Sequence, residues 1–371
     1  MNLTVLLVVI PLLCAVSPVL AAGKSPGVVG AYVHFRSGVA DTPERIGALV
    51  AEAADAGVQF LLPVAKSTSG TALYDSKIIP RAHTDFDPLK VLIDAAHERG
   101  LKVHPWVCVN SEGHASLSAL LVAHPDWCMV SSEGKRVGAL DPSSPEVRRH
   151  VASIIREIAE NYDVDGISLD YVRYASGGRF CFCDRCKTAF KEATGYDCME
   201  ANNAAPYTDP WRRWRAWRQK QLTAEMEEIR RALNDAKPDA LLSTYVWGVH
   251  TYGKGYQVCQ DWKTWIAKGH LDWINPSGYV YDRDKFKARV KENRKAVPSG
   301  FPMLVTVGVR TSHGSLPTSA DVETQIRDSL ALGADGVVLF TLESTVPFLK
   351  DLSPLLHEIG EGRFNRDVQD R

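Results

Sequence analysis

The sequence lacks a surplus of charge of either sign. Its 371 residues include 43 lysines and arginines and 44 aspartates and glutamates, which gives a formal net charge of -1. Proteins that bind nucleic acid usually carry a clear excess of positive charge on one face. The balance therefore argues against a nucleic-acid partner. With 45% hydrophobic and 23% charged residues, the composition is that of an ordinary globular protein.

Long apolar runs are also missing after the N-terminal segment. Residues 3–13 are mainly apolar, Pro18 follows, and Ala21 and Ala22 supply small residues where a signal peptidase would cut. This pattern predicts an export signal over residues 1–22, although no lysine or arginine precedes the apolar run. We expect a secreted or periplasmic protein. No later run is long enough to cross a bilayer, so no transmembrane anchor is expected in the mature chain.

Apolar runs alternate with helical periodicity eight times over residues 23–371. Strands are predicted at 28–35, 58–64, 101–109, 166–172, 241–249, 271–279, 303–309 and 336–342. Helices are predicted at 43–56, 88–99, 145–161, 211–236, 283–295, 319–332 and 346–359, with shorter crossovers at 116–123 and 259–268. Repeated strand-then-helix units predict parallel strands, and eight of them favour a closed barrel. We expect one α/β domain, a (β/α)8 TIM barrel, with a cysteine-rich insertion at about 175–210 after strand four.

Polar and aromatic residues collect where the predicted strands end. In a barrel of this kind the active site lies at the C-terminal ends of the strands. Aromatic rings stack on the C–H faces of sugars, and amides and charged groups bind their hydroxyls. The alternative is that several rings only close the barrel by packing. The candidate sugar-binding residues are Tyr32, His34, Trp106, Asn110, Arg173, Tyr174, Tyr245, Trp247, Asn275 and Tyr279.

Cleavage of a glycosidic bond usually needs two carboxyl groups. Asp170, at the end of strand four, is the first candidate, and Glu343, after strand eight, is the second, with Glu112 as a reserve. We expect Asp170 to stay ionised beside Arg173, and burial among apolar neighbours to raise the pKa of Glu343, with exchanged roles left open. The alternative for Asp170 is a capping or salt-bridged aspartate at a strand end, and the alternative for Glu343 is a salt bridge with a neighbouring loop. Catalysis of this kind needs no cofactor.

Patterns expected of other barrel enzymes are absent. The end of strand seven, Gly308-Val309-Arg310, has no carboxylate, which argues against retaining enzymes that place their nucleophile there. His34 lacks the second histidine of the His-x-His pair that a metal-dependent amidohydrolase needs after strand one. Glu343 stands after strand eight, where a phosphate site needs glycine and main-chain N–H groups. These absences disfavour metal-dependent and phosphate-handling barrels.

Three cysteines follow strand four at Cys-x-Cys-x2-Cys spacing. Cys181, Cys183 and Cys186 are close enough along the chain to converge on one tetrahedral ion, and three is an awkward number for closed disulfides. We expect a structural zinc ion. The alternative is disulfide bonds, because exported proteins fold in oxidising compartments.

Several motifs resemble the glycosyl hydrolase-like 10 family of exported bacterial barrels. They are His124-Pro125-Asp126-Trp127, Leu140-Asp141-Pro142, the segment 162–174 around Asp170, and Leu271-Asp272-Trp273-Ile274-Asn275-Pro276. The resemblance implies a (β/α)8 barrel that acts on glycans, in some relatives on peptidoglycan strands. The cysteine segment is similar to the zinc loop of family 42 β-galactosidases, in which a fourth cysteine comes from elsewhere. That likeness implies a fourth ligand among Cys108, Cys128, Cys198 and Cys259.

The residues and the resemblance together predict an exported glycoside hydrolase. Its substrate would be a polysaccharide or a peptidoglycan-type glycan, cut by a carboxylate pair at the C-terminal face of the barrel. The alternative is a barrel that binds glycan without cutting it. The sugar, its linkage and anomer, the choice between retention and inversion, and the oligomeric state are left open.

Overall fold

The computed structural model describes residues 27–82, 84–113, 116–176, 179–253 and 258–363. The predicted export signal over residues 1–22 lies outside these ranges. Within them, no helix combines the length and the apolar character required to cross a bilayer.

Eight parallel strands form the predicted barrel, which confirms the fold class. The strands, one to eight, are Val28–Val33, Phe60–Lys66, the two segments Lys102–Val103 and Trp106–Cys108, Gly166–Asp170, Leu241–Val246, Trp273–Pro276, Leu304–Gly308 and Gly336–Phe340. Hydrogen-bonded ladders run in the order seven, eight, one, two, three, four, five, six. Strands six and seven complete the ring through two parallel bridges, Ile274 to Met303 and Ser277 to Thr306.

Helices connect the strands close to where they are predicted. The longer ones are Pro43–Asp55, Pro88–Glu98, Pro145–Asn161, Asp209–Ala236, Arg283–Ala296, Ser319–Ala331 and Leu349–Gly360. Shorter ones are Ala119–Ala123, Asp184–Thr194, Cys198–Asn203, Trp262–Ala267 and Leu342–Thr345. Local chemistry sets the helix starts: the Thr42 and Asp87 side chains each accept a main-chain hydrogen bond, and proline occupies the first helical position after each.

Several strands end earlier than their apolar runs predict. The strand predicted at 166–172 stops at Asp170 because Tyr171 has a φ of +57°, a left-handed conformation that no strand can continue. The carboxyl group of Asp170 therefore marks the point where the chain turns out of the barrel wall.

An unpredicted antiparallel hairpin lies between strand three and helix Pro145–Asn161. Its strands are Cys128–Val130 and Arg136–Leu140. The cysteine segment lies against it, because the N–H of Phe182 donates to the carbonyl of Val130 over 2.9 Å. The hairpin and the cysteine segment thus form one unit beside the C-terminal end of the barrel.

Candidate active site

Asp170 occupies an inward position at the end of strand four. Ile167 and Leu169 are fully buried in the core between strands and helices, so the alternating residues Ser168 and Asp170 turn to the barrel interior. One Asp170 oxygen, Oδ1, accepts the N–H of Tyr171 over 2.6 Å. Asp170 is a buried residue, with 9% of its surface exposed.

The protonation state of Asp170 differs from the prediction. Burial raises its pKa to about 7, and the positive charge of Arg173 offsets only part of that effect. The expectation that Arg173 keeps Asp170 ionised was wrong, because loss of hydration outweighs the attraction of one neighbouring cation. At neutral pH a substantial fraction of Asp170 holds a proton.

Glu343 lies in the short helix Leu342–Thr345 after strand eight. Its Oε1 accepts the main-chain N–H of His34 over 2.7 Å, and its side chain is 6% exposed. Its Oε2 has no hydrogen-bond partner among the described residues. Burial acts to raise the pKa of Glu343, but hydrogen bonds with His34 and Thr341 outweigh it, and the net shift is downward. The expected upward shift was wrong, and Glu343 is the ionised member of the pair.

Four rings, which we call the aromatic cluster, connect these carboxyl groups: Tyr32, His34, Trp106 and Phe340. The ring centre of Trp106 is 4.9 Å from that of Tyr32 and 5.1 Å from that of His34. Phe340 packs 5.4 Å from Tyr32. Burial raises the pKa of Tyr32, and the negative charge of Asp170 raises it further. The main-chain N–H of His34 donates its hydrogen bond to Glu343. Both carboxyl groups therefore border the same aromatic cluster.

Further predicted sugar-binding residues extend this surface. Tyr245 stacks on Tyr279 at 5.8 Å between ring centres, and Tyr279 lies 5.4 Å from Phe340. Asn275 is fully buried and donates its Nδ2 hydrogen bond to the hydroxyl of Tyr32. The structure thus brings together most of the predicted set. Tyr32 and Asn275 are buried below the opening, so the prediction of direct sugar contact was wrong for these two residues.

Arg173 and Trp247 lie beside this group. The guanidinium carbon of Arg173 is 4.5 Å from the ring centre of Tyr171 and 5.1 Å from that of Trp247. Arg173, Tyr171 and Asn110 also line a cavity of about 330 Å³ next to strand four.

The Asn110 side chain donates to Glu225 over 2.7 Å. Burial raises the pKa of Glu225 to about 8, and the bond from Asn110 opposes that rise only in part.

Two predicted site residues do not belong to the site. Glu112 forms an ion pair with Lys66 at 2.8 Å, and both side chains are 1% exposed. Glu112 is a structural partner of Lys66, and its reserve catalytic role was a wrong prediction. Tyr174 is fully buried, with Arg218 5.6 Å from its ring centre, so direct sugar contact was also wrong for this residue. Once the strand ends, alternation no longer predicts which way a side chain points.

The three cysteines converge as predicted, and Asp141 completes the group. One ligand atom from each of Cys181, Cys183, Cys186 and Asp141 lies within 4.8 Å of the other three. Asp141 Oδ2 is 3.2 Å from Cys183 Sγ and 3.4 Å from Cys186 Sγ. Asp141 takes the place expected for a fourth cysteine. The four cysteines considered for that place, Cys108, Cys128, Cys198 and Cys259, lie outside the group and are free thiols.

This group, which we call the thiol cluster, is suited to a metal ion. Three sulfurs and one carboxylate oxygen match a four-coordinate site, and such a set could hold a metal. The N–H of Val130 donates to Cys181 Sγ over 3.2 Å, and Ser143 Oγ donates to Asp141 over 2.7 Å. Such outer contacts orient metal ligands. The sequence carried no spacing signal for Asp141, which lies forty residues before Cys181 and also begins a helix-capping segment.

A closed eight-stranded barrel, with two carboxyl groups on an aromatic surface at its C-terminal end, defines a glycosidase-type TIM barrel. The chain belongs to the glycosyl hydrolase-like 10 family, whose model matches residues 33–303. Glycosyl hydrolase DigH of Escherichia coli strain K12 is 28% identical over 247 residues, which cover 57% of this chain and 52% of DigH. The chain therefore spans about half the length of this relative.

Solved structures share the fold at low sequence identity. The glycoside hydrolase domain of PgaB (BpsB) from Bordetella bronchiseptica has a TM-score of 0.72 at 13% identity, covering 89% of this chain and 99% of that domain. A cold-adapted β-galactosidase from Rahnella sp. R3 has a TM-score of 0.65 at 18% identity, covering 93% of this chain and 58% of the enzyme. These likenesses concern the fold alone.

Proposed function

We propose that this protein is an exported glycoside hydrolase that cuts a polysaccharide or a peptidoglycan-type glycan. Membership of the glycosyl hydrolase-like 10 family supports action on glycans, and DigH carries the name of a glycosyl hydrolase. The signal-like pattern of residues 1–22 supports export to a secreted or periplasmic location.

One observation supports hydrolysis above all: two carboxyl groups border one aromatic cluster and their pKa values are displaced in opposite directions. Burial raises the pKa of Asp170 to about 7, whereas hydrogen bonds with His34 and Thr341 overcome burial and lower that of Glu343. A glycosidase needs one carboxyl group that holds a proton and one that is ionised. The environments of these two residues meet that requirement.

The roles follow from the protonation states. Asp170 donates its proton to the oxygen that leaves the sugar, so the glycosidic C–O bond breaks without releasing an alkoxide. Glu343 either attacks the anomeric carbon or takes a proton from the water that attacks it. The half-buried rings of His34, Phe340 and Tyr279 hold the sugar faces by stacking, and the buried rings of Tyr32 and Trp106 support them from below.

We also propose that the thiol cluster holds a structural zinc ion. Three thiolates with one carboxylate form a closed site, a type that usually supports structure rather than catalysis. The ion would tie Cys181, Cys183 and Cys186 to Asp141, next to the hairpin strand Arg136–Leu140. No step of the hydrolysis requires it.

Purified protein incubated with labelled glycans tests the proposal. The panel contains denuded peptidoglycan strands, plant glycans and algal glycans, and new reducing ends are measured for the wild type, for Asp170→Asn and for the surface control Glu146→Gln. We expect product from the wild type and the control, and a loss of about 10²-fold or more for Asp170→Asn. Equal product from wild type and Asp170→Asn would remove Asp170 from the mechanism. Binding by the wild type without product would favour the non-catalytic alternative.

A further inference from the structure

The cavity beside strand four contains one charged side chain among its described lining residues. That side chain is Arg173, and the others are apolar or neutral, including Asn110, Gly138, Ala139, Ser176 and Phe180. An apolar wall with a single cation and a few hydroxyl and amide groups is typical of a site for a small anionic, hydroxylated ligand.

Arg173 forms no ion pair with a described carboxylate, although its charge acts on Asp170 and lowers the pKa of that residue in part. No aspartate or glutamate of the described residues lies within 4.0 Å of its side-chain nitrogens, and the internal residues beyond that description, 83, 114–115, 177–178 and 254–257, include no acidic residue. Its Nε is buried without a hydrogen-bond partner, and one long contact of 3.4 Å joins Nη1 to the carbonyl of Tyr174. Arg173 as a whole is half-buried, and its buried Nε is a hydrogen-bond donor without a partner, which a bound ligand would satisfy.

The guanidinium is also held in place. Two rings pack against it, Tyr171 at 4.5 Å and Trp247 at 5.1 Å, and Tyr171 itself has a φ of +57°. Left-handed conformations are uncommon for residues other than glycine and collect at functional sites. Two rings that fix the plane of the guanidinium reduce the conformational entropy that the side chain would lose on binding, and leave its N–H groups for an acceptor.

We propose that Arg173 binds a carboxylate of the glycan, and that the substrate is therefore an acidic polysaccharide whose carboxyl group lies within about one sugar of the bond that is cut. This inference rests on the proposed hydrolase function, because Arg173 lies three residues after Asp170 and lines the adjoining cavity. A guanidinium binds a carboxylate through two parallel N–H donors, and one cation matches the single negative charge of a carboxyl sugar.

Carboxyl sugars come from two sources, uronic acids in plant and algal polysaccharides and the lactyl ether acid of denuded peptidoglycan strands. Each polymer is prepared in its native form and with its carboxyl groups reduced to alcohols, which removes the charge and keeps the chain. Binding is measured by calorimetry in the Asp170→Asn background, so that cleavage plays no part. The second variant adds Arg173→Gln, and the matched control adds Arg310→Gln, an exposed arginine at the same end of the barrel.

The Asp170→Asn protein should bind at least one native polymer about ten-fold or more tighter than its reduced form. Arg173→Gln should remove that preference and leave binding of the reduced polymer unchanged, whereas Arg310→Gln should preserve it. The native polymer with the larger preference identifies the source. Failure to bind either native polymer, or equal weakening of native and reduced forms by Arg173→Gln, would overturn the proposal.

The same measurements separate this inference from the hydrolase proposal. If the protein binds the native polymer more tightly than the reduced one but the wild type yields no product, Arg173 recognises a carboxylate in a binding protein. That result would count against hydrolysis. Product from reduced and native polymers at the same rate would support hydrolysis and overturn the role of Arg173.

Discussion

The main-chain N–H of His34 donates a hydrogen bond to Oε1 of Glu343 over 2.7 Å, although 309 positions separate the two residues along the chain. Strands one and eight are neighbours in the barrel, so closure of the ring creates this contact. This hydrogen bond occupies one oxygen of the Glu343 carboxylate. The other oxygen, Oε2, is buried and has no hydrogen-bond partner among the described residues.

Glu343→Gln should abolish most activity without disturbing this contact. The amide oxygen of glutamine still accepts the N–H of His34, but the side chain can neither take a proton nor attack carbon. We expect kcat to fall by about 10² to 10⁴-fold with little change in thermal stability. Initial rates on the best glycan of the panel measure the loss, and Glu323→Gln on an outer helix serves as the control. A kcat within a factor of three of wild type would contradict the assignment.

The pH dependence of kcat/KM should decline on the alkaline side near neutrality. Burial raises the pKa of Asp170 to about 7, so the acid loses its proton as the pH rises through that value. Hydrogen bonds hold the pKa of Glu343 below its ordinary 4.5 against the effect of burial, so activity should rise with pH only in the acidic range. Rates measured from pH 3 to 9 on the best glycan of the panel test both limbs. An activity that stays constant up to pH 9 would exclude Asp170 as the acid.

Asp170→Asn should stabilise the fold in a pH-dependent way. Burial raises the pKa of Asp170 in the folded state from the ordinary 3.8 to about 7. Below pH 3.8 the ionisation of Asp170 does not reduce the free energy of unfolding, and the free energy of unfolding falls as the pH rises through the folded-state pKa. The neutral amide avoids that loss. We expect the variant to match wild type at pH 4 and to exceed it by about 1–3 kcal/mol at pH 8. Urea unfolding at the two pH values measures the difference, and an equal difference at both would show that ionisation is not the cause.

Glu112→Gln should destabilise the protein while leaving turnover by the folded molecules intact. The ion pair with Lys66 spans 2.8 Å with both side chains 1% exposed, so loss of the carboxylate leaves a buried cation without its counterion. Breaking such a pair costs about 3–5 kcal/mol. The double variant Lys66→Met/Glu112→Met should lose less stability than the sum of the single variants. Loss of kcat at temperatures where Glu112→Gln is fully folded would restore Glu112 as a catalytic candidate.

The sequence predicts the barrel well because its signals are local. Each apolar run and each capping residue lies inside the element that it defines, as at Thr42 and Asp87. Strand ends are less predictable, since the turn at Tyr171 depends on a backbone conformation that no apolar pattern encodes. Apolar residues that continue past the strand, such as Val172, pack in the core without joining the ladder.

The candidate site depends on contacts between distant segments, and these limit what the sequence predicts. Asp170 and Glu343 are identifiable because strand ends meet at one face of a barrel. Their protonation states are not predictable from the sequence. Burial sets the protonation state of Asp170, and hydrogen bonds with His34 and Thr341 set that of Glu343. Asp141 lies beside the cysteines because it follows the hairpin that packs against them. A carboxylate forty residues before the first cysteine forms no recognisable sequence motif with it.

The thiol cluster leads to a prediction about metal content and stability. We expect about one equivalent of zinc per chain by elemental analysis, and its loss in Cys186→Ser and in Asp141→Asn, because each change removes one of four ligands. Asp141→Cys should retain the ion, since a fourth thiolate also suits zinc. Cys198→Ser, which alters a buried thiol outside the cluster, is the matched control and should keep the metal.

Thermal stability separates a structural ion from an adventitious one. A chelator should lower the melting temperature of wild type and of Cys198→Ser, and should leave Cys186→Ser unchanged because that variant has no ion to lose. The cluster ties the cysteine segment to the hairpin whose residues Gly138 and Ala139 line the cavity of Arg173, so metal loss should also weaken glycan binding before the barrel unfolds. Protein without zinc, in which thiol titration finds the three cysteines oxidised, would instead establish the disulfide alternative.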